Sequence, residues 1–313
     1  VLSVLFLSGV LVRSPSSESP VAYPASARPW LTGLELLLLG AVWGGSFLFM
    51  RIGAGPFGAS VLVELRLLFG ALVLTPFLYR AHRHVRRDQW PFLLLAALLS
   101  SALPFFLFAW GAERAPAGIG AITNSLAVLF TTLVGFLLYG DRISRRRGIA
   151  LAAGFIGVVV LMSHRTAGSG IMLAALAGTS AACCYGFSAN IIKHHLAQLP
   201  PVMLAAISLW LAALMMLVPA LLHLPAAIPP ARAWGAAIGL GVICTGLAYA
   251  FYFRLIRRIG PARAITCTYL VPVFAVIWAW LWLDEAITVQ MICAGALILG
   301  GVIYSQRDKA ARA

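Results

Sequence analysis

Two charges stand where charges are costly. Glu64 and Arg66 lie well inside an apolar run, and Arg66 is near its middle. At mid-bilayer depth a charge costs on the order of 3 kcal/mol or more unless it is paired or hydrated. Arg66 is therefore expected to face a bundle interior. There a guanidinium can anchor a substrate carboxylate or serve a charge relay; the plainer alternative is a structural ion pair or helix-end cap. Residues two apart on a helix point about 200° apart, so Glu64 and Arg66 need partners from other helices or from a ligand. A partly buried carboxyl such as Glu64 can carry a proton, and protons follow as the expected coupling ion.

Polar amides and aromatic rings inside apolar runs make up the rest of the candidate substrate site. Asn124, beside Thr123, and Asn190 can bind polar ligands, although intramembrane amides more often tie helices together. Trp43, Trp110, Tyr185 and Tyr269 sit within spans rather than at their ends. Central rings can line a cavity for the apolar part of a ligand; packing or lipid contact is the plainer alternative. Trp278, Trp280 and Trp282 cluster toward a helix end, as interfacial belt residues do.

Other chemistries find little support. His82 and His84 lie in an Arg-rich loop and His194-His195 follow Lys193; no acid or cysteine set completes a metal site, and all four read as solvated loop residues. The five cysteines fall in apolar segments without paired or zinc spacing and read as small buried hydrophobes. No Gly-x-x-x-x-Gly-Lys-Ser/Thr loop occurs, so nucleotide hydrolysis is not expected. No metal or cofactor is called for. A membrane-embedded lipid-modifying enzyme is the alternative class, but its chemistry wants clustered acids, histidines or a nucleophile with its base. The nine acids are scattered instead.

The elements that must position these residues are membrane helices. Of 313 residues 62% are hydrophobic and only 10% charged, far from the ~25% charged of soluble domains. The apolar runs are rich in Leu and Ala and do not alternate, which excludes a β-barrel. With about 20 residues per crossing, spans fall near 31–51, 57–79, 90–111, 116–139 and 147–163, then 171–192, 202–222, 233–256, 262–283 and 287–305. Residues 1–30 read as a flexible tail rather than a signal peptide, because no basic segment precedes the apolar stretch. Residues 307–313 read as a cytoplasmic tail.

Charge supports the ten-span count. With both termini cytoplasmic, 18 of the 23 basic residues fall on the cytoplasmic side, four on the other, and Arg66 within a span. That asymmetry obeys the positive-inside rule. It also explains the net charge of +14 without nucleic acid as a partner. Only Lys193 and Lys309 are lysine, a bias that points to a high-GC bacterial genome and an inner-membrane location. Membrane lipid and a small-molecule substrate are the expected partners; nothing in the sequence sets an oligomeric state.

The chain also repeats. Residues 116–158 lie on 260–302 at an offset of 144, placing Phe130 on Phe274, Asp141 on Glu285 and Gly157 on Gly301. At an offset of 142, Trp43-Gly44 lies on Tyr185-Gly186 and Arg51 on Lys193. Five helices per copy is an odd number, so the second copy enters the membrane from the other side. The expected fold is all-α, ten transmembrane helices in two inverted five-helix repeats, residues 31–165 and 170–306.

Four stretches in this order resemble the drug/metabolite transporter superfamily, specifically its EamA-type ten-helix carriers. They are residues 40–47, residues 65–71, residues 115–122 leading to Asp141-Arg142-Ile143-Ser144, and residues 260–272 leading to Asp284-Glu285-Ala286-Ile287-Thr288. Two positions depart from the family pattern: Val128 stands where proline is frequent, and Asp141 where Glu is usual. The resemblance implies a secondary carrier, an exporter or exchanger of small metabolites, often amino acids, by alternating access. It also implies that helices 1–4 and 6–9 surround the cavity while helices 5 and 10 pack outside.

Overall fold

A computed structural model describes residues 29–79, 85–162 and 169–310. Of the expected tails at residues 1–30 and 307–313, residues 1–28 and 311–313 lie outside the described residues, as does the loop carrying His82 and His84; Pro29 and Trp30 instead begin a helix, and residues 307–310 continue one. Every regular element among those described is helical.

Helix α1, Pro29–Tyr79, is two arms joined at Gly58, whose φ of 73° and ψ of 155° interrupt the helix. Only glycine adopts that conformation without a steric penalty. The Glu113 carboxylate accepts the Ala59 N–H at 2.8 Å, capping the first turn after the kink. Helix α2 runs Arg87–Ala112 and α3 Ala117–Tyr139. Helix α4 is Arg145–Met162, α5 Ser169–His195 and α6 Pro201–Leu222. Helix α7 runs Ala231–Ile259. Short turns at Pro261–Ala264 and Ile265–Tyr269 lead to α8, Val271–Leu283, and α9 is Val289–Ala310. Among the described residues six helices are long and apolar enough to cross a membrane, and two shorter apolar ones follow them. Leu-, Ala- and Val-rich helices of this length satisfy every backbone group internally, as a bilayer demands.

Irregularities recur at the offset found in the sequence. The π-helical stretch Leu98–Ala102 in α2 has a counterpart within Gly239–Leu247 in α7. Helix α3 breaks after Asn124, where Ser125 and Leu126 donate tight three-residue turns to Ile122 and Thr123. The equivalent break precedes Val271, where Pro272 also lacks a donor. The expected spans 116–139 and 262–283 are thus interrupted rather than continuous. Both α3 and α8 end on a left-handed residue, Gly140 (φ 69°) and Asp284 (φ 53°). In each the next amide reaches back six residues, Asp141 to Gly135 and Glu285 to Ala279. These are matching Schellman ends.

Close approaches are reciprocal as well. A Cβ on Gly44 would lie 2.7 Å from Phe274, and one on Gly186 2.7 Å from Phe130. A Cβ on Gly157 would lie 3.1 Å from the Ala294 carbonyl, and one on Gly301 3.0 Å from that of Ala150. Each contact joins one copy to the other at exchanged positions.

Three expectations are corrected. His194 and His195 end α5 rather than sit in a loop, and stack on Tyr139 and Phe92 with ring centroids 4.0 and 3.9 Å apart. Stacked planar rings gain about 0.5–1.5 kcal/mol beyond their area burial, and His194 stacks while the residue stays exposed. Trp278 is no belt residue: its indole N–H donates to the Ala41 carbonyl at 3.0 Å and so pins α8 to α1. Cys293 is exposed, unlike the buried Cys244 and Cys267, because a lipid-facing helix side carries the same residue types as a buried one.

Candidate functional site

Seven helical segments converge on one small cavity. The first arm of α1 contributes Trp43, Ser46, Phe47 and Met50, and the second arm Arg66. Phe105 and Phe108 come from α2, Asn124 from the break in α3, and Tyr185 from α5. Tyr249 comes from α7, and Thr268 and Val271 from the break before α8. Helices α4, α6 and α9 give none of these. Instead α4 and α9 pack on each other through Gly157 and Gly301.

The site is built on equivalent positions of the two copies. Trp43 matches Tyr185, Phe105 matches Tyr249, and Asn124 matches Thr268. Where helices break, backbone and side-chain polar groups can face a cavity without meeting lipid. The local sequences explain the breaks: Thr123-Asn124-Ser125 on one side, with hydroxyls that bond back to their own turn, and Pro272 on the other.

Arg66 dominates the electrostatics. It is 7% exposed. Its Nε donates to Thr245 Oγ1 at 3.1 Å, and Thr245 in turn donates to the Leu240 carbonyl at 2.8 Å inside the α7 π-helical stretch. Its Nη1 contacts Met50 Sδ at 3.6 Å, and the guanidinium lies 3.6 Å from the Phe105 ring centroid. These contacts use two of the five N–H donors of the side chain and fix its plane. No carboxylate pairs with it among the described residues. The Asn124 Oδ1 is buried and accepts no hydrogen bond from the described residues. A cation with spare donors, an empty amide acceptor and aromatic walls can hold a carboxylate, a neighbouring N–H donor and an apolar body.

The cavity measures about 40 Å³, room for a few waters and well short of the roughly 300 Å³ or more of an occupied small-molecule pocket. A second, smaller void of about 10 Å³ lies beyond it and shares Phe47 and Phe108. The two rings meet edge to face, with centroids 5.6 Å apart, and partition the voids. Gly111, Ala112, Pro116 and Ala117 line the far side.

Of the eight residues expected from sequence, Trp43, Arg66, Asn124 and Tyr185 line the cavity. Glu64 is half-buried on the same arm as Arg66 but does not line the cavity, and its Oε2 has no hydrogen-bond partner among the described residues. Trp110 packs under the Arg114 guanidinium, 3.8 Å from the ring centroid, near the end of α2. Asn190 donates to the Thr131 and Gly186 carbonyls at 3.0 and 2.9 Å, in the α3–α5 seam. Tyr269 flanks the break without lining the void. Thr245, Tyr249 and Thr268 were not among the candidates. Carrying Phe105 and Asn124 through the offset of 144 points to the last two.

Comparison with known proteins decides the family. The EamA-like transporter family matches residues 31–163 and again residues 169–305. The chain belongs to the EamA-like transporter family. It is 24% identical over 283 residues to a probable terminal-alkyne amino-acid exporter of Streptantibioticus cattleyicolor, covering 87% of this chain and 92% of that protein. It is 27% identical over 289 residues to a probable amino-acid metabolite efflux pump of Salmonella typhimurium, covering 86% and 93%. A crystal structure superposes with a TM-score of 0.60 at 20% identity, covering 88% of this chain and 95% of that one; that likeness concerns the fold. This EamA-like transporter is an integral membrane protein and not an enzyme, so the lipid-modifying alternative falls.

Proposed function

We propose that this EamA-like transporter is a secondary exporter of small carboxylate-bearing metabolites, amino acids or close relatives. It works by alternating access between two inverted five-helix repeats. The observation that carries the reading is Arg66, a buried cation lining a central cavity with no carboxylate partner among the described residues. The missing countercharge is the substrate carboxylate, and the orphan Asn124 Oδ1 accepts its amine. The aromatic walls take the apolar remainder. The names of the two relatives favour the same class. Reciprocal contacts at exchanged positions support the inverted repeat, and the basic-residue asymmetry supports cytoplasmic termini in a bacterial inner membrane.

Counterflow of labelled amino acids into proteoliposomes tests the reading. Arg66→Gln is expected to lower carboxylate transport roughly tenfold or more, since a charge-assisted hydrogen bond is worth about 1.5–3 kcal/mol. Arg66→Lys retains part of it, because the charge stays but the planar fork is lost. Wild-type rates in Arg66→Gln would sink the anchor. Protons are the proposed coupling ion, carried by Glu64, whose buried Oε2 has no partner among the described residues. In Glu64→Gln vesicles transport should lose its dependence on an imposed pH gradient; an unchanged dependence removes Glu64 from that role.

A further inference from the structure

We propose that two ion pairs, Arg51–Glu285 and Lys193–Asp141, are the latches of the transport path, broken in alternation at opposite ends of the substrate cavity. The inference rests on the alternating-access reading above and names the contacts that perform it.

Position comes first. Arg51 Nε lies 3.0 Å from Glu285 Oε1, and Glu285 Oε2 accepts the Ala117 N–H at 2.8 Å, at the start of α3. Lys193 Nζ lies 2.8 Å from Asp141 Oδ2, just beyond the end of α3. Ala117 and Asp141 are 24 residues apart, roughly 36 Å along a helix. The pairs therefore sit at the two ends of the bundle.

Exchange comes second. Arg51 and Lys193 are equivalent under the repeat, and so are Asp141 and Glu285. Each pair takes its cation from one copy and its anion from the other. If the copies trade conformations, the pairs trade places: one breaks as the other is made. The Arg258–Glu35 pair is different. It ties α7 to the start of α1, 16 residues before Arg51 and so at the Lys193 end. Its equivalent, Arg114, pairs with the adjacent Glu113 and ties no copies together. That pair is a fixed strut, and it serves as a control.

The path comes third. Arg51 Nη1 also donates to the Ala112 carbonyl at 2.6 Å. Ala112 and Ala117 line the outer void, and Phe47 and Phe108 separate that void from the cavity of Arg66. Releasing Arg51 and Glu285 therefore frees the end of α2 and the start of α3 together, above a void already present. At the other end a Cβ on Gly135 would lie 2.8 Å from Asp141 Oδ2 and 3.1 Å from Asn190 Oδ1, so Asp141 and the α3–α5 seam close as one unit. The four latch side chains are 13–45% exposed, and partly hydrated pairs are cheap to break and remake.

The test uses full-length protein in proteoliposomes that carry out counterflow. Cysteine pairs replace each latch, Arg51→Cys with Glu285→Cys and Lys193→Cys with Asp141→Cys, and are bridged with a short bifunctional thiol reagent. The parent protein with its native cysteines, treated alike, sets the background. Either bridge is expected to cut transport at least tenfold, with recovery when a reducible bridge is cleaved. A Glu35→Cys, Arg258→Cys bridge should leave transport within about twofold. Where a cysteine pair fails to insert, hydrogen exchange in nanodiscs decides. Glu285→Gln should speed exchange over residues 112–120, and Asp141→Asn over residues 131–141. Transport unaffected by both bridges, or both conservative variants opening the same end, overturns the latches. Absence of counterflow in the wild type overturns the transport reading instead.

Discussion

The two ends of the cavity share a skeleton and differ in chemistry. At the Arg51 end, Glu285 accepts one bond from Arg51 and one from the Ala117 N–H, and Arg51 adds a third to Ala112. At the Lys193 end, the Lys193–Asp141 bond has no such companion in the equivalent place among the described residues. The reason is visible in the repeat. Pro261 occupies the position equivalent to Ala117 and has no N–H to give. Aspartate also reaches one methylene less far than glutamate. The Lys193 end makes up the deficit with the Arg258–Glu35 strut, since the close packing of Gly186 against Phe130 is matched at the other end by Gly44 against Phe274. A duplicated frame thus fixes where a contact falls, while single substitutions set how firmly it holds.

The largest effect expected from disturbing that comparison is steric. Gly186→Leu and Gly44→Leu drive side chains into the backbone of α3 and α8. Each should lower stability by about 1–3 kcal/mol or more, read as reduced thermal melting of the detergent-solubilised protein. Equal losses would mark the two contacts as true equivalents. Next is Glu285→Gln, which leaves Arg51 without its countercharge and is expected to cost about 2 kcal/mol. Ala117→Pro is more selective. Ala117 is the first residue of its helix and follows an extended Pro116, so proline fits the backbone. It removes only the N–H bond to Glu285, at roughly 1–2 kcal/mol, and makes the Arg51 end resemble the other. Smallest is Asp141→Asn, below about 1 kcal/mol, because Asp141 is 45% exposed. If Asp141→Asn proves costlier than Glu285→Gln, the ranking of the two ends is reversed.

The helical membrane class and a doubled architecture, matched by the family at residues 31–163 and 169–305, were legible in the chain. So were Trp43 and Tyr185 as a matched pair, and Arg66 as a charge too costly to face lipid. Asn124 and Asn190 were not separable. Both are amides in apolar helices, yet one presents an unpartnered oxygen to the cavity and the other is spent on Thr131 and Gly186. Tyr269 and Thr268 are neighbours in sequence, and the break before α8 turns Thr268 inward.

By itself the sequence determined which segments leave water and which positions repeat. Length, apolarity and charge placement are properties of the chain that the bilayer reads directly. Only the tertiary structure decided which side of each helix meets the cavity, which meets a neighbour and which meets lipid. In water an amphipathic stripe announces the buried face. In a membrane the outside is as apolar as the core, so the stripe is absent and packing alone makes the choice.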